Sequence, residues 1–307
     1  MLYDQLDRNR WMTALLFIGF AFVVFLLSFA VDVLFLGTGP IGATVIAALI
    51  ASATLAFAWF AADRAVLAGL GARPANPTVP AERQLLDLVE SLALTASLPM
   101  PKVYVIDDPA PNAFATGRSP DKGVVAFTTG LLEKMNRPQV EAVAAHELSH
   151  IANRDSLVGV VAAILLGVVL IVSRVAIRML FYSGGGRRSS NQGGGQAQIV
   201  VLAVALVAII IAPIFATLLR FAVSRRRETL ADLNAVALTR NPDGMIEALE
   251  VLDADETTVD FAHGLASHLW IEEPGHSRGS WLDRLTATHP PIPDRIAALR
   301  RAAGYGG

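Results

Sequence analysis

Hydrophobic and polar positions divide this chain into long apolar blocks and patterned polar segments. No charged residue occurs from Trp11 to Val31, from Ile41 to Ala62, or from Ile199 to Leu219. Each block is long enough to cross a hydrocarbon core of about 30 Å as a helix. A shorter block, Ser156 to Val172, is followed by Arg174 and Arg178, which could snorkel to an interface. Gly37-Thr38-Gly39-Pro40 predicts a tight turn between the first two blocks, giving an N-terminal helical hairpin. The first block exceeds a signal-peptide core and a second follows almost at once, so the hairpin is expected to be retained.

Beyond Arg73 the pattern becomes polar and periodic. Pro74, Pro77 and Pro80 form a connector into a helix predicted from about Ala81 to Thr95. Lys102 to Asp107 and Gly123 to Thr128 read as short strands. Asn136-Arg137-Pro138 then starts a helix in which Val140, Ala144, Leu148 and Ile151 make an apolar stripe, leaving the other side for chemistry. A glycine-rich loop, Gly184 to Gly195, separates the third and fourth blocks. A helix follows Asn241-Pro242-Asp243-Gly244, a loosely patterned region runs to about Ser280, and a last helix begins near Pro293. The expected fold is mainly α with a small β-sheet, carried on a four-span membrane anchor. Its expected divisions are an N-terminal hairpin (1–72), a first soluble segment (73–155), a second hairpin (156–219) and a second soluble segment (220–307).

Composition supports this division. Of 307 residues, 53% are hydrophobic and only 17% charged, too apolar for an ordinary soluble domain. The net charge of −2 argues against electrostatic nucleic-acid binding. The absence of cysteine excludes disulfides and thiol catalysis without fixing a compartment. Neither a nucleophile elbow nor a phosphate-binding Walker loop is present.

The chemistry is concentrated in His146-Glu147-Leu148-Ser149-His150, an H-E-x-x-H run inside the predicted helix. Histidines four apart project about 40° from one another and can share one Zn²⁺. Glu147, about 100° round from His146, can reach water held at the metal and act as general base. With only six histidines in the chain, the pattern is improbable by chance; the bland alternative is a pair of capping or core histidines. A catalytic zinc needs a third protein ligand, which here must be His, Asp or Glu. The best candidate is Glu228, with Asp232 four residues on to accept the outer N–H of a ligand histidine. Taken alone, that block reads as a solvated helix of arginine–carboxylate pairs. Two apolar blocks separate His150 from Glu228, so both must cross the membrane or neither does. Arg8, Arg10, Arg64, Arg73, Arg83 and Arg225 to Arg227 fall on the side of the active segments, predicting a cytoplasmic site. Arg187 and Arg188 oppose that rule if the second hairpin crosses.

These pieces resemble the HtpX-type membrane zinc metalloproteases, relatives of the eukaryotic CAAX prenyl endopeptidases. The likeness rests on the N-terminal hairpin, Asn112-Ala113-Phe114-Ala115-Thr116-Gly117, the H-E-x-x-H, Ser224 to Asp232, and His289-Pro290-Pro291-Ile292-Pro293-Asp294-Arg295-Ile296. One departure is Thr229, where the family usually has Tyr. The resemblance implies a zincin-like fold, one zinc at His146, His150 and Glu228, and Glu147 as base. It also implies quality control of damaged or misassembled membrane proteins in a bacterial inner membrane, as part of a stress response. The implied partners are membrane-protein or unfolded-polypeptide substrates, the bilayer and other quality-control proteases, with no nucleic acid.

The remaining motifs have two readings each. Asn112, Ala113 and Phe114 present backbone to an extended substrate, or form a plain turn. His289 donates to the oxyanion with Arg295 bracing it, or is a structural histidine before a helix. Two other functions compete: an intramembrane metalloprotease and a non-enzymatic scaffold with a structural metal. Charges flanking the H-E-x-x-H (Glu133, Lys134, Arg137, Glu141, Arg154, Asp155) argue against the first, and Glu147, which a structural site does not need, against the second.

Overall fold

The structure is a computed structural model. It describes residues 59–154, 225–255, 257 and 291–304, with scattered positions between 11 and 57. The apolar blocks beginning at Ser156 and Ile199, most of the one beginning at Trp11, half of the one beginning at Ile41, the Gly184–Gly195 loop, and His289 lie outside the described residues. Among the described residues no helix is long and apolar enough to cross a membrane. The chain divides into two compact units, one of residues 1–9, 63–160 and 220–307, the other of 10–62 and 161–219.

The first unit is built, in chain order, from α1 (Ala62–Gly69), β1 (Arg73–Pro74), α2 (Pro80–Thr95), β2 (Lys102–Ile106), β3 (Ala113–Thr116), β4 (Val124–Thr128), α3 (Thr129–Lys134), α4 (Arg137–Asn153), α5 (Arg225–Thr239), α6 (Pro242–Ala254) and α7 (Ile292–Ala302). The helices predicted in the two soluble segments and the strands at β2 and β4 agree with this to within a residue or two. Three elements differ from expectation: β1 lies within the proline connector, α3 had no counterpart, and the Asn112–Gly117 stretch contains a strand.

The sheet is mixed, in the order β1-β2-β4-β3. β1 runs antiparallel to β2, β2 parallel to β4, and β3 antiparallel to β4. Side chains alternate across the pleat. Val103, Val105, Ala113, Ala115, Val125 and Phe127 join the cluster containing the buried residues of α2, α4 and α6. Ile106, Phe114, Val124 and Ala126 join Leu67 and Leu70 from the α1 end. Burial on both faces explains why β4 reads as an unbroken apolar run, without the alternation of a half-buried strand. Gly117 (φ +128°) closes β3, where a Cβ would stand 2.4 Å from the Lys122 carbonyl oxygen.

α4 starts where the sequence places it. The Asn136 side chain accepts from the Gln139 N–H at 3.2 Å, and the Gln139 side chain accepts from the Asn136 N–H at 2.9 Å, a reciprocal capping box. Its end at Arg154 turns left-handed (φ 56°). One expectation for α4 fails: it is not amphipathic about a single stripe. Val140, Ala144, Leu148 and Ile151 are buried, and so are Ala142, Val143, Ala145, His146, Glu147 and Ser149. The small side chains allow close packing by α5 and α6, and the H-E-x-x-H run sits inside the unit.

Candidate metal centre

α4 and α5 position the site. On α5, Glu228, Ala231, Asp232 and Ala235 recur at the three-and-four spacing of one helical face, and all four are buried. That face meets α4 at His146. The Nε2 atoms of His146 and His150 lie 3.1 Å apart, with the rings edge to face at 85°. Glu228 Oε2 lies 3.7 Å from His146 Nε2, and Glu228 Oε1 lies 3.6 Å from His150 Nε2. His146, His150 and Glu228 can each offer one donor atom, all within 4.8 Å of one another.

This donor set fits a metal ion. Two donors bound to one zinc at about 2.1 Å stand about 3.4 Å apart at the tetrahedral angle, close to the separations observed. Two imidazole nitrogens and a carboxylate are also the donor types zinc prefers. The site opens on the His150 side: the His150 side chain is 14% exposed, against 1% for His146 and 3% for Glu228.

Asp232 stands behind His146. Its Oδ1 lies 2.9 Å from His146 Nδ1, off the angle of a hydrogen bond in this geometry; a small turn of the ring brings an Nδ1–H onto the carboxylate and leaves the Nε2 lone pair facing the other donors. Burial depresses the His146 pKa, and the Asp232 partnership only partly offsets it. Burial alone would raise the Asp232 carboxyl. The Arg295 charge, the nearby His146 imidazole and the Arg295 hydrogen bonds outweigh that effect and hold it at about 2.

Arg295 has a partner the sequence does not name. Its guanidinium is buried at 2% exposure, donating from Nε to Asp232 Oδ2 at 2.9 Å and from Nη2 to Asp232 Oδ1 at 2.7 Å; the bracing of His289 expected of it falls on a residue outside the described ones. Sequence reasoning misses this pair because 63 residues separate the partners and neither local pattern names the other. Glu147 is 2% exposed and follows His146 on α4.

Asn112, Ala113 and Phe114 are also buried. The Asn112 side chain accepts from the Ala113 N–H at 3.0 Å, and the Asn112 N–H donates to Thr128 Oγ1 at 2.8 Å. Phe114 packs in the cluster on the α1 side of the sheet. Its side chain is a core residue, so only backbone can serve an incoming peptide here. β3 is an edge strand among the described residues, and it packs against α4.

A family model described as Peptidase family M48 matches residues 80–303. A "Protease HtpX homolog" of Streptococcus gordonii is 39% identical over 301 residues, covering 98% of this chain and 100% of that one. Another, of Streptococcus pneumoniae, is 42% identical over 304 residues with the same coverage. Among solved structures, that of S. mikatae Ste24p matches with a TM-score of 0.51 at 17% identity. The match covers 97% of this chain and 66% of that one, a likeness of fold.

Proposed function

The chain belongs to peptidase family M48 and is a membrane-anchored metalloendopeptidase; from that premise we propose that zinc is its metal and that damaged or misassembled membrane proteins are its substrates. The observation that carries the reading is the convergence of His146, His150 and Glu228 from two helices, with Glu147 buried next to them. A scaffold with a structural metal has no use for a buried carboxylate at that position.

In this reading His146, His150 and Glu228 hold the metal. A bound zinc ion supplies Lewis acidity and lowers the pKa of the water it holds toward about 7. Glu147 takes a proton from the attacking water and returns it to the leaving amine nitrogen. Asp232 keeps His146 in the Nδ1–H tautomer throughout. The edge of β3 receives an extended peptide as an added strand, which holds the scissile carbonyl in register. His289, between Thr288 and Pro290, donates to the developing oxyanion.

The anchor in this reading is four helical spans, with the active unit facing the cytoplasm of a bacterial inner membrane. The eight arginines flanking the active segments support that orientation. A single cysteine placed at exposed Ser91 tests it cleanly, because the chain has no other. Labelling of intact spheroplasts by an impermeant maleimide would refute the orientation. For the activity, cleavage of casein by detergent-purified protein should stop with chelator and return with zinc. Cleavage indifferent to chelator would refute a metal-dependent reaction.

A further inference from the structure

The buried contacts do not stop at Asp232. Its two oxygens are gripped by one guanidinium, Nε on Oδ2 and Nη2 on Oδ1. Two parallel bonds fix a carboxylate in rotation as well as position, which a single ammonium cannot do. The same Oδ1 lies 2.9 Å from His146 Nδ1, close enough that the rotation of Asp232 decides whether the imidazole N–H, off the hydrogen-bond angle in this geometry, is met by the carboxylate. His146, Asp232 and Arg295 come from α4, α5 and α7, and none is more than 2% exposed. Arg295 also places Nη1 at 3.9 Å from Glu228 Oε2.

We propose that Arg295 is a positioning residue for the metal: by clamping Asp232 it aims His146 Nε2 at the point where His150 and Glu228 converge. The inference rests on the reading of those three residues as metal ligands. It extends the outer support of the site from α5 to α7, so docking of the last helix completes the aim of a ligand on α4. The sign of the effect separates this role from a plain charge. A buried cation beside Glu228 repels a metal ion, so deleting a charge that does nothing else tightens zinc binding. Deleting a clamp that aims a ligand loosens it.

The test uses full-length protein in detergent and four variants: Arg295→Met, Arg295→Lys, Asp232→Asn, and Asp232→Asn with Arg295→Met. The readouts are zinc affinity against a graded chelator and the visible absorption of the Co²⁺-loaded protein, which reports ligand geometry. Arg295→Met should weaken zinc by about tenfold or more, the effect of losing an outer partner of a ligand, and shift the cobalt band. Arg295→Lys keeps the charge but not the fork; it should fold and still bind zinc several-fold more weakly than wild type. The double variant should match Asp232→Asn within about twofold, because the clamp acts through Asp232. Zinc binding by Arg295→Lys or Arg295→Met as tight as wild type overturns the proposal, as do losses that multiply in the double variant. If Arg295→Met alone fails to fold, Arg295→Lys and the double variant decide. His150→Ala isolates the underlying reading. If it holds zinc as firmly as wild type, the ligand assignment fails. If it loses zinc while both Arg295 variants keep it, only the positioning role falls.

Discussion

Enlarging Ala231 should disable the metal centre without touching a ligand. Ala231 is fully buried on the face of α5 that carries Glu228 and Asp232 toward α4. Ala231→Leu adds three carbons where there is no room. Overpacking of this kind costs about 1–3 kcal/mol and moves backbone, which for a unit of this size lowers the melting temperature by about 2–12 °C. The functional effect is larger. Glu228 stands 3.6 and 3.7 Å from the two imidazoles, and two donors cannot share one zinc beyond about 4.3 Å. A retreat of α5 that lengthens these separations by about 0.6–0.7 Å takes Glu228 past that limit and leaves a two-ligand site. The assay is zinc retained against a chelator series, with thermal unfolding followed in parallel and exposed Ala237→Leu as control. Retention of zinc by Ala231→Leu as firm as in wild type, with unchanged unfolding, would refute the claim that small residues set the α4–α5 spacing.

Two further outcomes are expected. Glu228→Ala should lose most bound zinc, whereas Asp232→Ala should weaken binding by about 10–100-fold and keep a measurable site. Metal stoichiometry decides, and the reverse order would exchange the two roles. The pair of Arg73 and Glu82, bonded at 2.8 and 2.9 Å with the Asn76 N–H also on Glu82, holds the Glu82 carboxyl below the usual glutamate range. Because the folded pKa is depressed, its contribution is complete above the unfolded pKa and is lost as pH falls through the folded value. Acid unfolding of wild type should therefore steepen below about pH 4, and Glu82→Gln should be less stable at neutral pH with a shallower acid limb. Parallel limbs for the two proteins would remove Glu82 from the account.

The parts of the site legible in the sequence are those encoded locally. The capping box at Asn136 and Gln139 starts α4, the four-residue spacing pairs His146 with His150, and the same spacing pairs Glu228 with Asp232. The parts that were not legible depend on distant residues. Arg295 reads as one more arginine of a C-terminal helix until α7 brings it onto Asp232. β3 is only four residues long and follows an Asp-Pro-Ala-Pro-Asn turn, so no alternation can develop to announce it. The single-stripe reading of α4 failed because alanines, neutral in a periodicity count, become fully buried once α5 and α6 pack on them. Phe114 looked like a substrate contact by its place in a motif, and the pleat turned it into the core on the α1 side.

Glu147 is the test of the whole account, because it separates holding a metal from using it. Glu147→Gln keeps the size and burial of the side chain and removes the base. Detergent-purified variant and wild type should carry the same zinc, close to one per chain, and unfold at similar temperatures. Cleavage of casein by the variant should fall by several orders of magnitude. Equal zinc with lost cleavage is the predicted result; equal zinc with cleavage at the wild-type rate would contradict the account.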